Sequence, residues 1–216
     1  MIAKANLPDW LEQMRKCRIC HEMETPLVFL GEPEDAHPLF FEEGNYGADI
    51  LFVLEAPNET DTFDADKGRM TFGDGSDPTG RFIEDCLRNE VGVELKDTVM
   101  TNSVLCLPAC DQDGKHTPRT AQLRNCSQNL RRIVDTVDPK VIITVGGKAL
   151  EATNLIDCHG LTKLAEAVAR PVEWYGRMLF PLYHPSWQVW RYRSLDQQRD
   201  DYRVLRDVLL EKGIVP

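Results

Sequence analysis

The sequence predicts an α/β fold, a three-layer α/β/α sandwich with a central, mostly parallel four-stranded sheet. Four short apolar runs alternate with helical patterns, which is the order expected of parallel strands joined by helices. The runs are nearly continuous in apolar residues, as in strands that helices cover on both faces. The length of 216 residues fits one domain, and we expect residues 1–216 to form it.

The predicted strands are bounded by Pro, Gly or Asn and lie at residues 48–56, 99–105, 140–147 and 178–185. The predicted helices lie at residues 80–90, 120–137, 147–154, 161–168 and 195–212. The pattern is clearest in 120–137, where apolar residues recur on one face between Thr117-Pro118 and Asp138-Pro139.

Composition and charge limit the class of protein. The first twenty residues contain no apolar signal segment, and no run approaches the length of a membrane span. We therefore expect a cytoplasmic protein with no membrane partner. The net charge of −10 argues against broad adhesion to nucleic acid, although residues 119–132 and 190–193 are local basic stretches. No heptad pattern is present, and we expect a monomer.

Polar side chains follow the predicted strands at the points where the strands end. Glu55 follows the first strand, Asn102 lies in the second, Gly146-Gly147 ends the third and His184 ends the fourth. In open α/β sheets the ligand crevice lies outside the carboxyl ends of the strands. A carboxylate, an amide and an imidazole are therefore expected at one edge of the sheet.

The seven cysteines occur without an export signal, which argues against a disulfide framework. Cys17 and Cys20, in the N-terminal residues 1–45, have the spacing of half a zinc or iron–sulfur site. Either Cys106 or Cys110, together with Cys126, could supply the other two thiolates, because the polar loop 107–119 can fold back. Cys126 also fits a buried apolar position. Spacing leaves zinc and an iron–sulfur cluster open, since both accept four cysteines.

These motifs, in this order, resemble the uracil-DNA glycosylase superfamily and, within it, its iron–sulfur branch, family 4. The similarity spans almost the whole chain. The segments that carry it are CRIC at 17–20, LEAPN at 54–58, TFG at 71–73, TNSVLCLP at 101–108, Pro118 with Cys126, the strand at 139–146 and HPS at 184–186.

The resemblance implies a cofactor and a role for each motif. A structural [4Fe–4S] cluster, with zinc as the alternative, would be held by Cys17, Cys20, Cys106 and Cys126. Asn102 would read the Watson–Crick edge of a flipped base, Phe72 would stack on that base, and Asn58 would lie at the pocket floor. His184 would donate a hydrogen bond to the base oxygen that gains negative charge, and Glu55 would position the attacking water.

The stretch after His184 is implied to bind DNA. Trp187 and Trp190 would wedge into the duplex, while Arg191 and Arg193 would meet phosphates and Ser186 would belong to the same surface. Packing inside the protein is the alternative interpretation of the two tryptophans.

Three departures from the family pattern bear on the substrate. Leu54 and Asn58 stand where family members usually carry glycine, which allows close approach of a ligand. The segment 73–79 is longer and more acidic than usual. An insertion places Cys110 at the family's usual spacing from Cys126, although the motif around Cys106 matches better.

The resemblance implies a DNA glycosylase that flips uracil or a modified pyrimidine out of single- or double-stranded DNA and hydrolyses its N-glycosidic bond, leaving an abasic site. The alternatives are a glycosylase for a bulkier base in foreign DNA, a non-catalytic DNA-binding module, and a zinc-stabilised protein that binds nucleotide phosphate at Gly146-Gly147. His116 lies near a histidine that one branch attaches covalently to the DNA sugar. The rest of that branch's basic loop is missing, so we interpret His116 as an exposed loop residue.

Overall fold

The computed structural model of the protein describes residues 17, 19–20, 47–57, 62–64, 69–71, 77–106, 108 and 116–215. Three residues with predicted or alternative roles, Asn58, Phe72 and Cys110, lie outside these ranges. None of the helices within the ranges is both long and apolar enough to cross a membrane.

A five-stranded sheet forms the centre of the protein. Its strands are β1 (Ile50–Leu54), β4 (Val99–Asn102), β5 (Val141–Val145), β6 (Val172–Trp174) and β7 (Arg177–Leu182), in the order β4-β1-β5-β7-β6. The first four strands in this order pair in parallel, and β6 pairs antiparallel with β7. A separate antiparallel pair consists of β2 (Thr62–Asp64) and β3 (Arg69–Thr71). The four parallel strands are the four that the sequence predicts.

The described α-helices are α1 (Pro78–Cys86), α2 (Thr120–Val137), α3 (Gly147–Asn154), α4 (Leu164–Ala167) and α5 (Leu195–Glu211). A π-helical turn, Leu87–Val91, extends α1, and a 3-10 turn, Leu95–Asp97, precedes β4. The helices α2 and α3 have the predicted bounds. The predicted helix at 161–168 is reduced to the single turn α4.

The helices cover both faces of the sheet, which confirms the three-layer sandwich. Alternate residues of a strand point to opposite faces. Accordingly, Leu51 and Val53 pack with α2, α3 and α4, whereas Phe52 and Ile143 pack with α1 and α5 on the other side. All five residues of β1 are buried, and so are all five of β5, which explains why both read as continuous apolar runs.

The predicted strand count of four is one too low for the main sheet. The additional strand, β6, has three residues and carries an exposed Glu173, so it lacks the apolar run that marks the other strands. A two-residue turn, Tyr175-Gly176, joins β6 to β7, and both of its residues have positive φ, at 51° and 71°. Hairpin turns of this kind are usually recognised from Asn-Gly or Asp-Gly, and tyrosine gives no such signal.

Candidate active site

The parallel pairing brings the ends of β4, β1, β5 and β7 to one side of the sheet, which we call the carboxyl edge. Leu54 at the end of β1 pairs with Asn102 at the end of β4, and Val145 at the end of β5 pairs with Leu182 at the end of β7. The residues at or just beyond these ends are Glu55, Asn102, Gly146 and His184. This edge is where ligands bind in open parallel sheets.

Glu55 is held at the carboxyl edge by hydrogen bonds from two directions. Its backbone carbonyl accepts a bond of 3.2 Å from the Val104 amide and another from the Ser103 hydroxyl. Its side-chain Oε1 accepts a bond of 3.1 Å from the Lys148 amide in the first turn of α3. The amides of that turn have no acceptor within the helix and favour an anion. Glu55 is therefore held both at its backbone carbonyl and at one oxygen of its carboxylate.

Asn102 lies at the end of β4 with only 2% of its surface exposed. The next residue, Ser103, donates its amide to the Leu54 carbonyl at 2.8 Å, which ties the end of β4 to the end of β1. A buried asparagine offers both a donor and an acceptor in a fixed orientation. This residue type at this place suits recognition of a polar planar group.

His184 is partly buried and lies within electrostatic range of two carboxylates. Burial lowers the pKa of His184, and the carboxylates of Glu55 and Asp77 oppose that shift. The net direction is downward, so the imidazole is neutral at neutral pH. A neutral imidazole can donate one hydrogen bond while accepting another.

Asp77 is a site residue that sequence reasoning missed. Its side chain caps α1 by accepting bonds from the amides of Thr79 at 3.2 Å and Gly80 at 2.9 Å. The sequence Asp77-Pro78 is a typical helix start and gave no reason to look further. The charge of Asp77 favours the protonated form of His184 and so raises its pKa. The start of α1 therefore lies near the carboxyl edge.

The four predicted cysteine ligands lie at one region of the fold. Cys20 and Cys126 are buried, whereas Cys17 and Cys106 are partly exposed. Burial raises the pKa of Cys126 to about 12, a bond from the Leu105 backbone lowers it, and nearby Cys20 and Cys17 raise it further. Cys126 thus lies near two of the predicted partners and beside the residue that precedes Cys106.

The same region does not form a closed metal site in the ranges that the structure describes. No group of three or more His, Cys, Asp or Glu side chains there is close enough to hold an ion. The side-chain Nδ2 of Asn125 donates to the Cys20 sulfur at 3.4 Å. The donor set, four thiols of which two are buried, still fits an iron–sulfur cluster by residue type.

The two remaining described cysteines, Cys86 and Cys158, lie elsewhere in the fold. Cys86 is buried between α1 and α5 on the opposite face of the sheet, where burial raises its pKa to about 12. Cys158 is exposed after α3.

Consecutive turns follow His184 and carry the predicted DNA-binding residues. Backbone bonds link Ser186 to Val189 and Val189 to Arg193. Trp187 is 72% exposed and Trp190 is 46% exposed, which does not fit packing in the core. The guanidinium of Arg191 lies 4.7 Å from the ring centre of the exposed Tyr192. The stretch therefore presents aromatic and cationic groups to solvent.

Arg193 points back into the protein and differs in this respect from its neighbours. Its Nε lies 2.5 Å from Oδ2 of Asp201, and its Nη2 bonds the other carboxylate oxygen. The Asp201 side chain is only 3% exposed. These contacts give Arg193 an internal role, anchoring the turns to α5. The phosphate contact that the resemblance implies for Arg193 stays a prediction. His116 likewise has an internal contact, since its Nδ1 lies 2.6 Å from the Pro108 carbonyl.

The pKa of His184 tests the electrostatics of the carboxyl edge. We expect NMR titration to give a value below the ordinary 6.5 or so, and Glu55→Gln to lower it further because the carboxylate favours the charged imidazole. Glu173→Gln, at the exposed position of β6, is the matched control and should leave the pKa of His184 unchanged. An increase in Glu55→Gln would contradict this arrangement.

The two arginines of the turn stretch should differ in their effect on stability. Arg193→Ala leaves the buried Asp201 carboxylate without its partner and should lower the free energy of unfolding by about 3 kcal/mol. Arg191→Ala removes a solvent-facing side chain and should change it little. Urea unfolding of both variants measures the difference in the free energy of unfolding. If the two variants lost the same free energy, the internal contact of Arg193 would not stabilise the fold.

The chain is similar to proteins of one known superfamily over most of its length. A model of the Uracil DNA glycosylase superfamily matches residues 41–208. The Type-4 uracil-DNA glycosylase of Thermotoga maritima is 28% identical over 208 residues, 94% of this chain and 92% of that protein. The Type-4 enzyme of Saccharolobus solfataricus is 26% identical over 176 residues, 80% and 76% of the two chains. A Type-5 uracil-DNA glycosylase of Pyrobaculum aerophilum is 30% identical over 95 residues, which are 44% of this chain and 39% of that protein. The chain belongs to the uracil DNA glycosylase superfamily.

Proposed function

We propose that the protein is a uracil-DNA glycosylase, which flips uracil out of DNA and hydrolyses its N-glycosidic bond. The observation that carries this proposal is the carboxyl edge, where a fixed carboxylate and a neutral imidazole lie within electrostatic range and a buried amide ends the neighbouring strand. The superfamily match and the names of the relatives support the same reaction.

The charges that develop in this reaction suit these groups. The bond between C1′ and N1 breaks with its electron pair on the base, so the sugar becomes cationic and the base anionic. The Glu55 carboxylate stabilises the sugar and accepts a hydrogen bond from the water that attacks C1′. The proton that this water loses is balanced by the one that N1 of the departing base takes from solvent. The neutral His184 imidazole donates a hydrogen bond to the base oxygen that gains charge. Asn102 binds the edge of the flipped base and fixes its orientation.

The exposed turn stretch is proposed to contact the DNA. The exposed Trp187 and Trp190 would fill the gap that the flipped nucleotide leaves, and Arg191 would meet a phosphate. The net charge of −10 confines such contacts to a narrow surface. That the protein acts as a monomer and in the cytoplasm stays a prediction from the sequence.

A [4Fe–4S] cluster is proposed as a structural cofactor, held by Cys17, Cys20, Cys126 and either Cys106 or Cys110. When bound, its iron ions would offset the cost of burying the thiolates. With the cluster bound, its cysteine ligands would link the N-terminal Cys17 and Cys20 to the loop after β4 and to α2. This role is structural and lies apart from the hydrolysis itself.

Excision is tested with oligonucleotides that contain a single uracil. We expect alkali-labile abasic sites from the protein on single- or double-stranded substrate. Asn102→Ala and His184→Ala should each lower the single-turnover rate by roughly 100-fold, because each removes a contact made in the transition state. Glu173→Gln should have the wild-type rate. No product from uracil or from a panel of modified pyrimidines would refute the glycosylase.

Iron content tests the cofactor. We expect a brown protein with about four iron atoms per chain, and loss of iron in Cys126→Ala. Comparing Cys106→Ala with Cys110→Ala identifies the remaining ligand, because only the true ligand's loss should release iron. Cys86→Ala and Cys158→Ala are the controls and should keep it. A colourless, zinc-containing protein would contradict the cluster.

A further inference from the structure

We propose that Gly146 and the first turn of α3 position the Glu55 carboxylate for the reaction. Gly146 would be a positioning residue, acting on the rate of bond cleavage only through Glu55. The effect on rate rests on the proposed function, whereas the contact between Gly146 and Glu55 does not.

Gly146 leaves the space that the Glu55 side chain occupies. A Cβ at residue 146 would lie 2.9 Å from Cδ and 3.1 Å from Cγ of Glu55, and closer still to Oε1. Contacts under 3.0 Å essentially never occur for real Cβ atoms. A Cβ on the adjacent Gly147 would have no described atom within 4 Å. The close approach is therefore specific to Gly146, which also has a φ of 99° that other residues rarely adopt.

Neither backbone is free to move away from the other. Gly146 donates its amide to the Leu182 carbonyl of β7 at 2.9 Å, and its own carbonyl accepts the Leu150 amide of α3 at 3.2 Å. The Glu55 carbonyl is bound by Val104 at 3.2 Å. If residue 146 gained a side chain, only the Glu55 side chain could yield, by turning away from its present position.

The donor that holds the carboxylate is itself braced. Lys148 donates its amide to Glu55 Oε1, and its Nζ lies 2.8 Å from Glu151 Oε2. The other oxygen of Glu151 accepts a bond of 2.7 Å from the Thr120 hydroxyl at the start of α2. Partial burial opposes ionisation of Glu151, but the bonds from Lys148 and Thr120 outweigh it and lower its pKa. The first turn of α3 is thus fastened to α2 while it holds Glu55.

The first experiment measures excision in two backgrounds. Gly146→Ala should lower the single-turnover rate on uracil-containing single-stranded DNA by roughly 100-fold, the loss expected when a reacting group is displaced by about 1 Å. In Glu55→Ala, adding Gly146→Ala should cause no further loss, because the carboxylate it displaces is already absent. If Gly146→Ala lowered the rate equally in the wild-type protein and in Glu55→Ala, the inference would be overturned. The loss of rate would then come from backbone strain and not from Glu55.

Gly176→Ala is the matched control for that strain. Gly176 also has a positive φ, of 71°, but a Cβ there would have no described atom within 4 Å. The Gly176→Ala variant should therefore be less stable than the wild-type protein but should excise uracil at the wild-type rate.

The second experiment needs neither activity nor a folded Gly146 variant. The Lys148 amide lies in the first turn of α3, so its protection from hydrogen exchange depends on Glu55. Glu55→Ala should make it exchange about tenfold faster, and so should Gly146→Ala where that variant folds. Unchanged exchange in Glu55→Ala would overturn the inference. If the wild-type protein excises nothing but the exchange result holds, the proposed function fails and the contact stands.

Discussion

The parallel pairing of β1 with β4 on one side and β5 on the other is the constraint on which the site depends. It places Leu54 beside Asn102 and Val53 beside Thr144, so both neighbouring strands end next to Glu55. A slip of one residue would turn every side chain of β1 to the other face. Leu51 and Val53 would then face α1 and α5 instead of the helices α2, α3 and α4 against which they pack. The apolar core therefore fixes the register, and the register fixes the geometry of the carboxyl edge.

The chemistry at that edge depends on a balance between burial and charge. Burial lowers the pKa of His184, although two carboxylates, Glu55 and Asp77, favour its charged form. Each carboxylate lies against the start of a helix, since Asp77 caps α1 and Glu55 accepts an amide of α3. Both acids thus have hydrogen-bond donors of their own and do not have to pair with the histidine. That leaves a neutral imidazole next to a fixed anion, which suits a reaction that separates a cationic sugar from an anionic base.

Local sequence patterns predict most helices and strands of this fold, but they do not predict side-chain contacts between elements that are distant in the chain. The bounds of α2 follow from apolar periodicity between two prolines, and the parallel strands follow from continuous apolar runs. The hairpin strand β6 was missed because three residues carry too short a pattern. The internal role of Arg193 was missed because Asp201 lies one element further along, in α5. The positions of Glu55 and His184 at the carboxyl edge could be predicted because strand ends are predictable, whereas the close approach of Gly146 to Glu55 depends on how β5 and β1 pack.

The central claim is that Glu55, Asn102 and His184 act on one nucleobase at the carboxyl edge. A crystal structure of His184→Ala bound to single-stranded DNA with one uracil tests it most directly. We expect the uracil to be flipped out of the strand, with its Watson–Crick edge bonded to Asn102 and its C1′ within reach of a water held by Glu55. A uracil that stays stacked in the strand, or that binds elsewhere on the protein, would contradict the account.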